Sequence, residues 1–398
     1  MPLETLAFGC RLNSAEAETM AALAAAGGLH DALIVNTCAV TSEAEAQARQ
    51  AIRRAARENP GRPIIVTGCA ATLAPAAWAA LPGVARVLGN SNKLLAMSWG
   101  ATGNPPPAVT QGRARAFLEV QQGCDHHCTF CVIRIARGAS RSWAVDEVVG
   151  ATRQAVARGQ REVILTGVDL ASWRDGAHGL AALARNCLAV PGLDRLRLSS
   201  LDPAAVTPEL LALWAGEARL APFLHLSVQH GAALILKRMR RRHSPMAVLE
   251  LAAAARQGRS DMAVGADLIA GFPTEDEAHH AASMALVETL RPAALHVFPF
   301  SRRPGTPAFL LPALPPALVR ARAASLRAAG KRHAEAAAAA RVGQREVAIF
   351  DAPKLATTAQ GLRLRLTAGT APRGSMQTVR VTGVDGALLL AEAEHGVA

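Results

Sequence analysis

The chain has no tyrosine, and aromatic residues make up only 4% of its 398 positions. Ring stacking on exposed bases is therefore a minor resource, and any nucleic acid it holds is expected to be gripped through phosphates. No run approaches the roughly 18 unbroken apolar residues of a membrane span, so no membrane association is expected. The opening Met1-Pro2-Leu3-Glu4-Thr5 lacks a basic segment followed by an apolar one, so no secretory leader is expected. The seven cysteines are an odd number, which argues against a disulfide framework and for a reducing, cytoplasmic compartment. What remains is an ordinary globular composition, 51% hydrophobic and 19% charged. At roughly 150 residues per domain the length suggests two to three domains.

The charge is unevenly spread. Lys plus Arg is 43 against 31 Asp plus Glu, a net +12. From Ser301 onward there are 14 basic and 6 acidic residues, so about a quarter of the chain carries +8 of that excess. A second basic run is Lys237-Arg238-Met239-Arg240-Arg241-Arg242. Such an excess suits a polyanionic partner, nucleic acid first. A merely soluble basic surface is the simpler alternative.

Three early segments repeat one pattern. Leu6-Ala7-Phe8-Gly9-Cys10, Leu33-Ile34-Val35-Asn36-Thr37-Cys38 and Ile64-Ile65-Val66-Thr67-Gly68-Cys69 are short apolar runs that each close on a cysteine. They read as buried strands of a parallel sheet, with helical composition between them, as in Ser42 to Glu58. The cysteines are 28 and 31 residues apart, near the length of one βαβ unit. Parallel strands point one way, so all three cysteines would share the rim where open α/β sheets bind ligands. Three separate buried cysteines would look the same singly. Three thiolates would leave one position of a cubane-type cluster without a protein ligand, and an open site marks a reactive centre.

A Pro-rich linker, Asn104-Pro105-Pro106-Pro107, precedes a candidate strand at Ala116 to Gln121 and then Gly123-Cys124-Asp125-His126-His127-Cys128-Thr129-Phe130-Cys131. Cysteines spaced C-x3-C-x2-C on a loop can reach three irons of one [4Fe–4S] cluster. Zinc is the competing metal, with His126 or His127 as its fourth ligand.

This loop, with an aromatic before its last cysteine, resembles the radical S-adenosylmethionine (SAM) enzymes. Gln122 through Cys131, followed by Arg137-Gly138 and Ser140-Arg141-Ser142, resembles their methylthiotransferase branch. So do Phe8-Gly9-Cys10-Arg11-Leu12-Asn13, Asn36-Thr37-Cys38-Ala39-Val40 and Thr67-Gly68-Cys69-Ala70. The resemblance covers nearly the whole chain. It implies an α/β protein with a parallel-sheet N-terminal domain over residues 1–100, a linker at 101–112, a radical SAM core over 113–340 and a small all-β RNA-binding barrel, TRAM-like, over 341–398.

In the core, strands are expected at Glu162 to Thr166, Arg195 to Ser199, Phe223 to Val228, Ala263 to Ile269 and Ala294 to Phe298. With the strand before Cys124 these make six βα units, an open partial barrel whose functional groups sit at strand carboxyl ends. By resemblance, Phe130, Thr166, Gly167, Asp169, Ser199, Asp202, Gln229, Gly271 and Pro273 line the SAM pocket. Singly, each also reads as strand-end turn chemistry. Cys187, in a helix-like stretch from Ala181 to Ala189, matches no ligand position and is expected to be structural.

The resemblance further implies two [4Fe–4S] clusters, one held by Cys124, Cys128 and Cys131 and one by Cys10, Cys38 and Cys69. An electron from a reduced flavodoxin- or ferredoxin-like donor cleaves SAM to a 5′-deoxyadenosyl radical at the first. The second presents the sulfur to be inserted, and a second SAM supplies the methyl group. Iron–sulfur assembly and sulfur-donor proteins are implied as further partners. The protein's own part is position and exclusion of water.

Three substrates occur in this branch: tRNA adenosine-37 bearing an isopentenyl group, the same position bearing threonylcarbamoyl, and an aspartate of a ribosomal protein. The cysteine-loop string, the Arg-Gly-x-Ser-Arg-Ser string and His296-Val297-Phe298-Pro299-Phe300-Ser301 through Pro307 resemble the threonylcarbamoyladenosine enzyme most. A threonylcarbamoyl carboxylate needs a cation, and arginine offers a bidentate fork. Arg134, Arg137 and Arg141 follow the loop, the latter two being stronger candidates for SAM or RNA contact. Two positions depart from relatives: Arg134 stands where proline is usual, and Thr274 where many have glycine.

At the C-terminus, Arg345 to Phe350, Leu362-Arg363-Leu364-Arg365-Leu366 and Val379-Arg380-Val381 through Leu390 alternate as half-buried strands, with Asp385-Gly386 as a hairpin turn. Arg363, Arg365 and Arg380 are the RNA-contact candidates there. The contrasting class is a non-catalytic RNA-binding protein with structural or redox-sensing clusters. Open three-cysteine sites count against it, because structural metal sites are normally closed.

Overall fold

Four parallel strands, β1 (Glu4–Ala7), β2 (Leu33–Thr37), β3 (Ile64–Gly68) and β4 (Val84–Val87), lie side by side in chain order in the computed structural model, which describes residues 3–103, 107–110 and 113–394. Asn104 to Pro106 of the predicted linker, and Met1 and Pro2, lie outside the described residues. Strands β2 and β3 are buried at every position because both faces are covered. Helix α1 (Arg11–Ala26) sets Ala17, Met20 and Ala24 against Ile34 and Ile65 on one face. Helix α2 (Ser42–Glu58) sets Ala48 and Ile52 against Leu33, Val35, Ile64 and Val66 on the other. Helix α2 begins at a Thr41 cap whose hydroxyl accepts from the Ala44 N–H, with Glu43 and Glu45 in the first turn. Short helices α3 (Cys69–Leu73) and α4 (Pro75–Ala79) follow β3. Strand β4 was not expected; it is a four-residue edge, half exposed, with an arginine in it.

The central part holds all six expected strands: β5 (Arg115–Gln122), β7 (Glu162–Gly167), β10 (Arg195–Leu198), β11 (Phe223–Gln229), β12 (Ala263–Ala270) and β13 (Ala294–Pro299). A two-residue strand β6 (Arg141–Ser142) pairs antiparallel with β5, and a small hairpin, β8 (Arg174–Asp175) and β9 (His178–Gly179), sits to one side. The larger strands form sheets β10-β7-β5-β6 and β11-β12-β13, bridged at Leu201–Leu226, so they curl with β6 and β13 as free edges.

The helices are α5 (Ile133–Arg137), α6 (Val145–Ala157), α7 (Leu180–Leu188), α8 (Pro208–Gly216), α9 (Ala233–Arg238), α10 (Pro245–Gly258) and α11 (Glu277–Leu290). Alternation assigns the faces. Ala116, Leu118 and Val120 of β5 and Val163 and Leu165 of β7 join the helices in one apolar core. Phe117 and Glu119, one residue off, turn toward α1 of the N-terminal sheet. Cys187 is buried in α7, its sulfur 3.7 Å from the Thr152 hydroxyl, which accords with a structural role.

Helix α12 (Pro316–Ala339) leads to a closed five-stranded barrel ordered β14-β15-β16-β18-β17. Its strands are β14 (Arg345–Ala352), β15 (Leu355–Thr358), β16 (Arg363–Leu366), β17 (Met376–Asp385) and β18 (Leu388–Ala393). The Asp385-Gly386 turn is present, with Gly386 at φ 60°. Strand β15 was not foreseen, because Leu355-Ala356-Thr357-Thr358 is too short for its period to stand out. The barrel docks under the amino-terminal ends of the central strands. Arg195, the first residue of β10, donates to the Val347 carbonyl at 2.8 Å, and Arg115, the first of β5, forms a fork with Asp351 at 3.1 and 3.2 Å. Among the described residues no helix is long and apolar enough to cross a membrane.

Candidate active site

Glycine geometry draws the first three cysteines together. Gly9 has φ 87°, and a Cβ there would lie 2.4 Å from the Cys38 sulfur. Gly68 has φ 98°, and its Cβ would lie 2.3 Å from the Thr37 carbonyl oxygen. Only glycine permits these approaches. Cys10 then precedes the first turn of α1, Cys38 follows β2, and Cys69 opens α3. Burial pushes the Cys38 thiol up to about 11, and Cys10 and Cys69 add to the shift as neighbouring negative charges.

The second triad lies on the loop after β5. Burial pushes Cys124 up to about 12, with Asp169, Cys131 and Cys128 adding to it. Cys131 is pushed up to about 11 by burial and by Cys128, and Cys69 of the first triad also contributes. The two triads are thus within electrostatic reach of each other. The Cys38, Cys124 and Cys131 thiolates are penalised by burial and by neighbouring thiolates, so positive charge placed among them would reverse the shift.

Sulfur-directed donors are already in place. The N–H groups of Val40, His126 and Ile133 lie 3.4 Å from Cys38, Cys124 and Cys131 respectively. Asn90 Nδ2 and Arg241 Nη1 lie 3.6 Å from Cys69 and Cys128. Such donors tune thiolate-bound iron. The residues present therefore fit an iron–sulfur cluster at each triad. Of the two histidines weighed as zinc ligands, His127 is exposed and lies 3.0 Å from Arg134, while His126 Nε2 lies 2.9 Å from Asp169 and close to Cys124.

The strand ends supply the surrounding rim. Asp169, after β7, takes its backbone position from Gln121, whose Oε1 accepts its N–H at 2.7 Å, and its carboxylate accepts from Ser172 at 2.5 Å. Asp202, after β10, is held well below the usual carboxylate range. Burial opposes this, but His243, Arg241, the Ala204 N–H and Arg242 outweigh it. Ser199 presents a buried hydroxyl with no protein partner among the described residues. Thr166 is buried and Gly167 half-buried at the end of β7. Gln229 ends β11 at φ 71°, and Gly271, at φ 77°, starts the turn into Phe272 and Pro273, its N–H bound by Glu275 at 2.7 Å. Phe130 packs against the Phe272 cluster.

Arg137 requires a correction. It was expected to reach SAM or RNA, but it is buried and all five of its N–H donors are engaged by protein. Nε points at Cys69 (3.2 Å), Nη1 at Glu16 and Gln122 (both 2.7 Å), and Nη2 at Asn13 (2.6 Å) and Glu16 (3.1 Å). Lys93 completes the pairing of Glu16 at 2.5 Å. Arg141 stays exposed. Arg363, Arg365 and Arg380 are exposed on the C-terminal barrel, the last two 3.3 Å from Asp385 and Glu394.

Sequence reasoning missed this network, and it missed a second group inside the curled sheet. There Asp267 Oδ1 meets His225 Nε2 at 2.9 Å and His296 Nδ1 at 3.0 Å, while Ser200 donates to Oδ2 at 3.0 Å. Inward alternation of His225 on β11 and Asp267 on β12 was the available signal.

Fold and site together define a radical SAM enzyme. A family model described as the radical SAM superfamily matches residues 118–287, and one described as uncharacterized protein family UPF0004 matches residues 3–89. The chain belongs to the radical SAM methylthiotransferase family. It is 41% identical over 82% of its length, and 82% of the relative's, to the threonylcarbamoyladenosine tRNA methylthiotransferase MtaB of Rickettsia prowazekii. It is 32% identical to the protein of that name in Bacillus subtilis over 77% of this chain and 75% of that one. It is also 32% identical to the tRNA-2-methylthio-N(6)-dimethylallyladenosine synthase of Paracoccus denitrificans over 87% of this chain and 85% of that one. Among solved structures, the radical SAM methyltransferase TsrM of Kitasatospora setae aligns with a TM-score of 0.55 at 16% identity, covering 75% of this chain and 70% of that one. The cobalamin-dependent radical SAM enzyme OxsB aligns with a TM-score of 0.51 at 11% identity, covering 78% and 55%. At these identities the shared property is the fold.

Proposed function

We propose that the protein methylthiolates C2 of N6-threonylcarbamoyladenosine at position 37 of tRNA, giving the 2-methylthio form. The observation that carries the chemistry is the meeting of two open cysteine triads, with Cys69 close enough to act on Cys131. The substrate rests on the relatives, of which the 41% identical one bears the threonylcarbamoyladenosine name. With a [4Fe–4S] cluster bound at each triad, the site supplies reductive cleavage of SAM and a sulfur for transfer.

The chain's own residues do the rest. Cys124, Cys128 and Cys131 hold the SAM-cleaving centre, and Cys10, Cys38 and Cys69 hold the sulfur-bearing one. Phe130 and the turn from Gly271 to Pro273 give SAM an apolar wall and a close backbone approach. Thr166, Gly167, Ser199 and Gln229 offer hydroxyl, amide and peptide groups on the rim. Asp169 and Asp202 fix His126, Arg241 and Arg242 beside the loop. The division into residues 1–100, a linker at 101–112, 113–340 and 341–398 belongs to this reading. So do RNA contact by Arg141, Arg363, Arg365 and Arg380, a reduced flavodoxin- or ferredoxin-like donor, and iron–sulfur assembly and sulfur-donor partners.

The test is reconstituted full-length enzyme with SAM, a chemical reductant and tRNA that carries threonylcarbamoyladenosine. Formation of 5′-deoxyadenosine together with the 2-methylthio nucleoside is expected. Activity only on isopentenyladenosine tRNA would overturn the substrate.

A further inference from the structure

At the amino-terminal end of β5, opposite the end that leads into the Cys124 loop, is a cavity of about 360 Å3. Five arginines converge on it: Arg11 from the first turn of α1, Arg113 and Arg115 at the start of β5, and Arg363 and Arg373 from the C-terminal barrel. One carboxylate, Asp351, shares the lining. Strand β5 runs from Arg115 at this cavity to Gln122 beside the cysteine loop, and its eight residues span about 23 Å at 3.3 Å per residue. The cavity is therefore distinct from the Cys124–Cys131 loop, while Arg11 in its lining directly follows Cys10 in the chain.

The local charge is not balanced. Asp351 is committed to its fork with Arg115 and lies 3.7 Å from Arg363. Arg113 lies 3.7 Å from Glu18, outside the lining. Among the described residues, no carboxylate lies within ion-pair distance of Arg11 or Arg373, although Asp351 shares the cavity with them. The Arg11 guanidinium lies 5.4 Å from the centre of the Phe117 ring, which forms part of the wall. A second cavity of about 200 Å3 shares Arg113 and Arg373 and adds Arg158 and Gln160, so the cationic lining continues along the surface.

Five guanidiniums that share a single carboxylate in their lining are favoured by an anion that can take several forks at once. Phosphate oxygens match guanidinium geometry and carry the charge that relieves the repulsion, and Ser14 adds a hydroxyl donor. The size admits a phosphate or pyrophosphate group but no folded segment of a partner.

We propose that this junction of the N-terminal sheet, β5 and the C-terminal barrel is a phosphate-binding seat, with Arg11 and Arg373 as its uncommitted cations. Phosphate could come from the tRNA backbone, which rests on the function proposed above, or from a free phosphate-bearing molecule, which does not.

The test uses full-length protein, wild type and Arg11→Gln/Arg373→Gln. Inorganic pyrophosphate binding is measured by calorimetry, and tRNA binding across a salt series. Arg373→Gln alone, at an exposed turn of the barrel, keeps the test readable if the change in α1 disturbs folding. With a free-phosphate ligand, wild type binds pyrophosphate and the double variant binds it at least about tenfold more weakly, with the tRNA salt slope unchanged. With the tRNA backbone as ligand, pyrophosphate competes with tRNA and the double variant's slope falls by about one to two, near 0.7–0.9 for each phosphate no longer held. Unchanged tRNA slope together with no arginine-dependent pyrophosphate binding would overturn the proposal. Arginine-dependent pyrophosphate binding by an enzyme that fails to methylthiolate tRNA would leave this seat standing and remove the function proposed above.

Discussion

The Nε of Arg137 lies 3.2 Å from the sulfur of Cys69, across the seam between α5 of the central sheet and the start of α3. The same guanidinium grips Glu16 with two nitrogens, so one side chain ties both cysteine triads to a common buried frame. Arg137→Lys keeps the charge but loses the fork. Arg137→Gln leaves Glu16 with Lys93 as its one cationic partner, and breaking a buried pair of this kind costs about 3–5 kcal/mol. Thermal unfolding should show a clear loss for Arg137→Gln and a smaller one for Arg137→Lys. Equal, wild-type melting of both would contradict the frame.

Gly9 is a sharper probe of how the first triad assembles. Alanine there must adopt φ 87° and put a Cβ 2.4 Å from the Cys38 sulfur. Gly9→Ala should reduce bound iron to about half that of the reconstituted wild type, as should Cys69→Ala, because each removes one of the two cluster sites proposed above. Iron per chain is the readout, and a Gly9→Ala protein with full iron would refute the close approach.

Thr274 sits at φ 75°, a conformation that strains a β-branched residue by about 1–3 kcal/mol. Glycine removes the strain but loses somewhat more chain entropy on folding. Thr274→Gly is therefore expected to stabilise the protein by about 1 kcal/mol, seen as a raised Tm. A lowered Tm would show that the turn depends on the threonine side chain.

Glu162 is buried between Arg197 at 2.8 Å and Arg195 at 3.2 Å. Burial alone would raise its pKa, but Arg197, Arg195 and Arg115 hold it below its ordinary 4.5. A depressed folded value means that this stability is fully present above the unfolded pKa and is lost as pH falls through the folded one. Melting temperature against pH, from 7 down to 3, should show the gap between wild type and Glu162→Gln narrowing only on the acid side. A gap that is constant with pH would rule out an ionised Glu162.

Much of this architecture was legible beforehand, for reasons that can be assigned. The runs ending in Cys38 and Cys69 are apolar throughout because helices cover both faces of β2 and β3. The cysteine loop carried its spacing in plain view. Thr274 already stood out against its relatives, and its positive φ supplies the reason glycine suits that position. Arg137 was misread because its partners Glu16 and Cys69 lie 121 and 68 residues away. A charge whose partners are that remote reads locally as a solvated one. Glu16 and Lys93, 77 residues apart, were missed for the same reason. The docking of the C-terminal barrel under β5 and β10 likewise depends on Arg115 and Arg195, which within their strands look like ordinary strand-edge arginines.

The central claim is tested most directly by mass spectrometry of nucleosides from bulk tRNA. Cells lacking the gene are compared with cells carrying either the wild-type chain or Cys124→Ala. The account predicts that 2-methylthio-N6-threonylcarbamoyladenosine is absent without the gene, that its unthiolated precursor accumulates, and that only the wild-type chain restores it. An unchanged level of that nucleoside in cells lacking the gene would contradict the account.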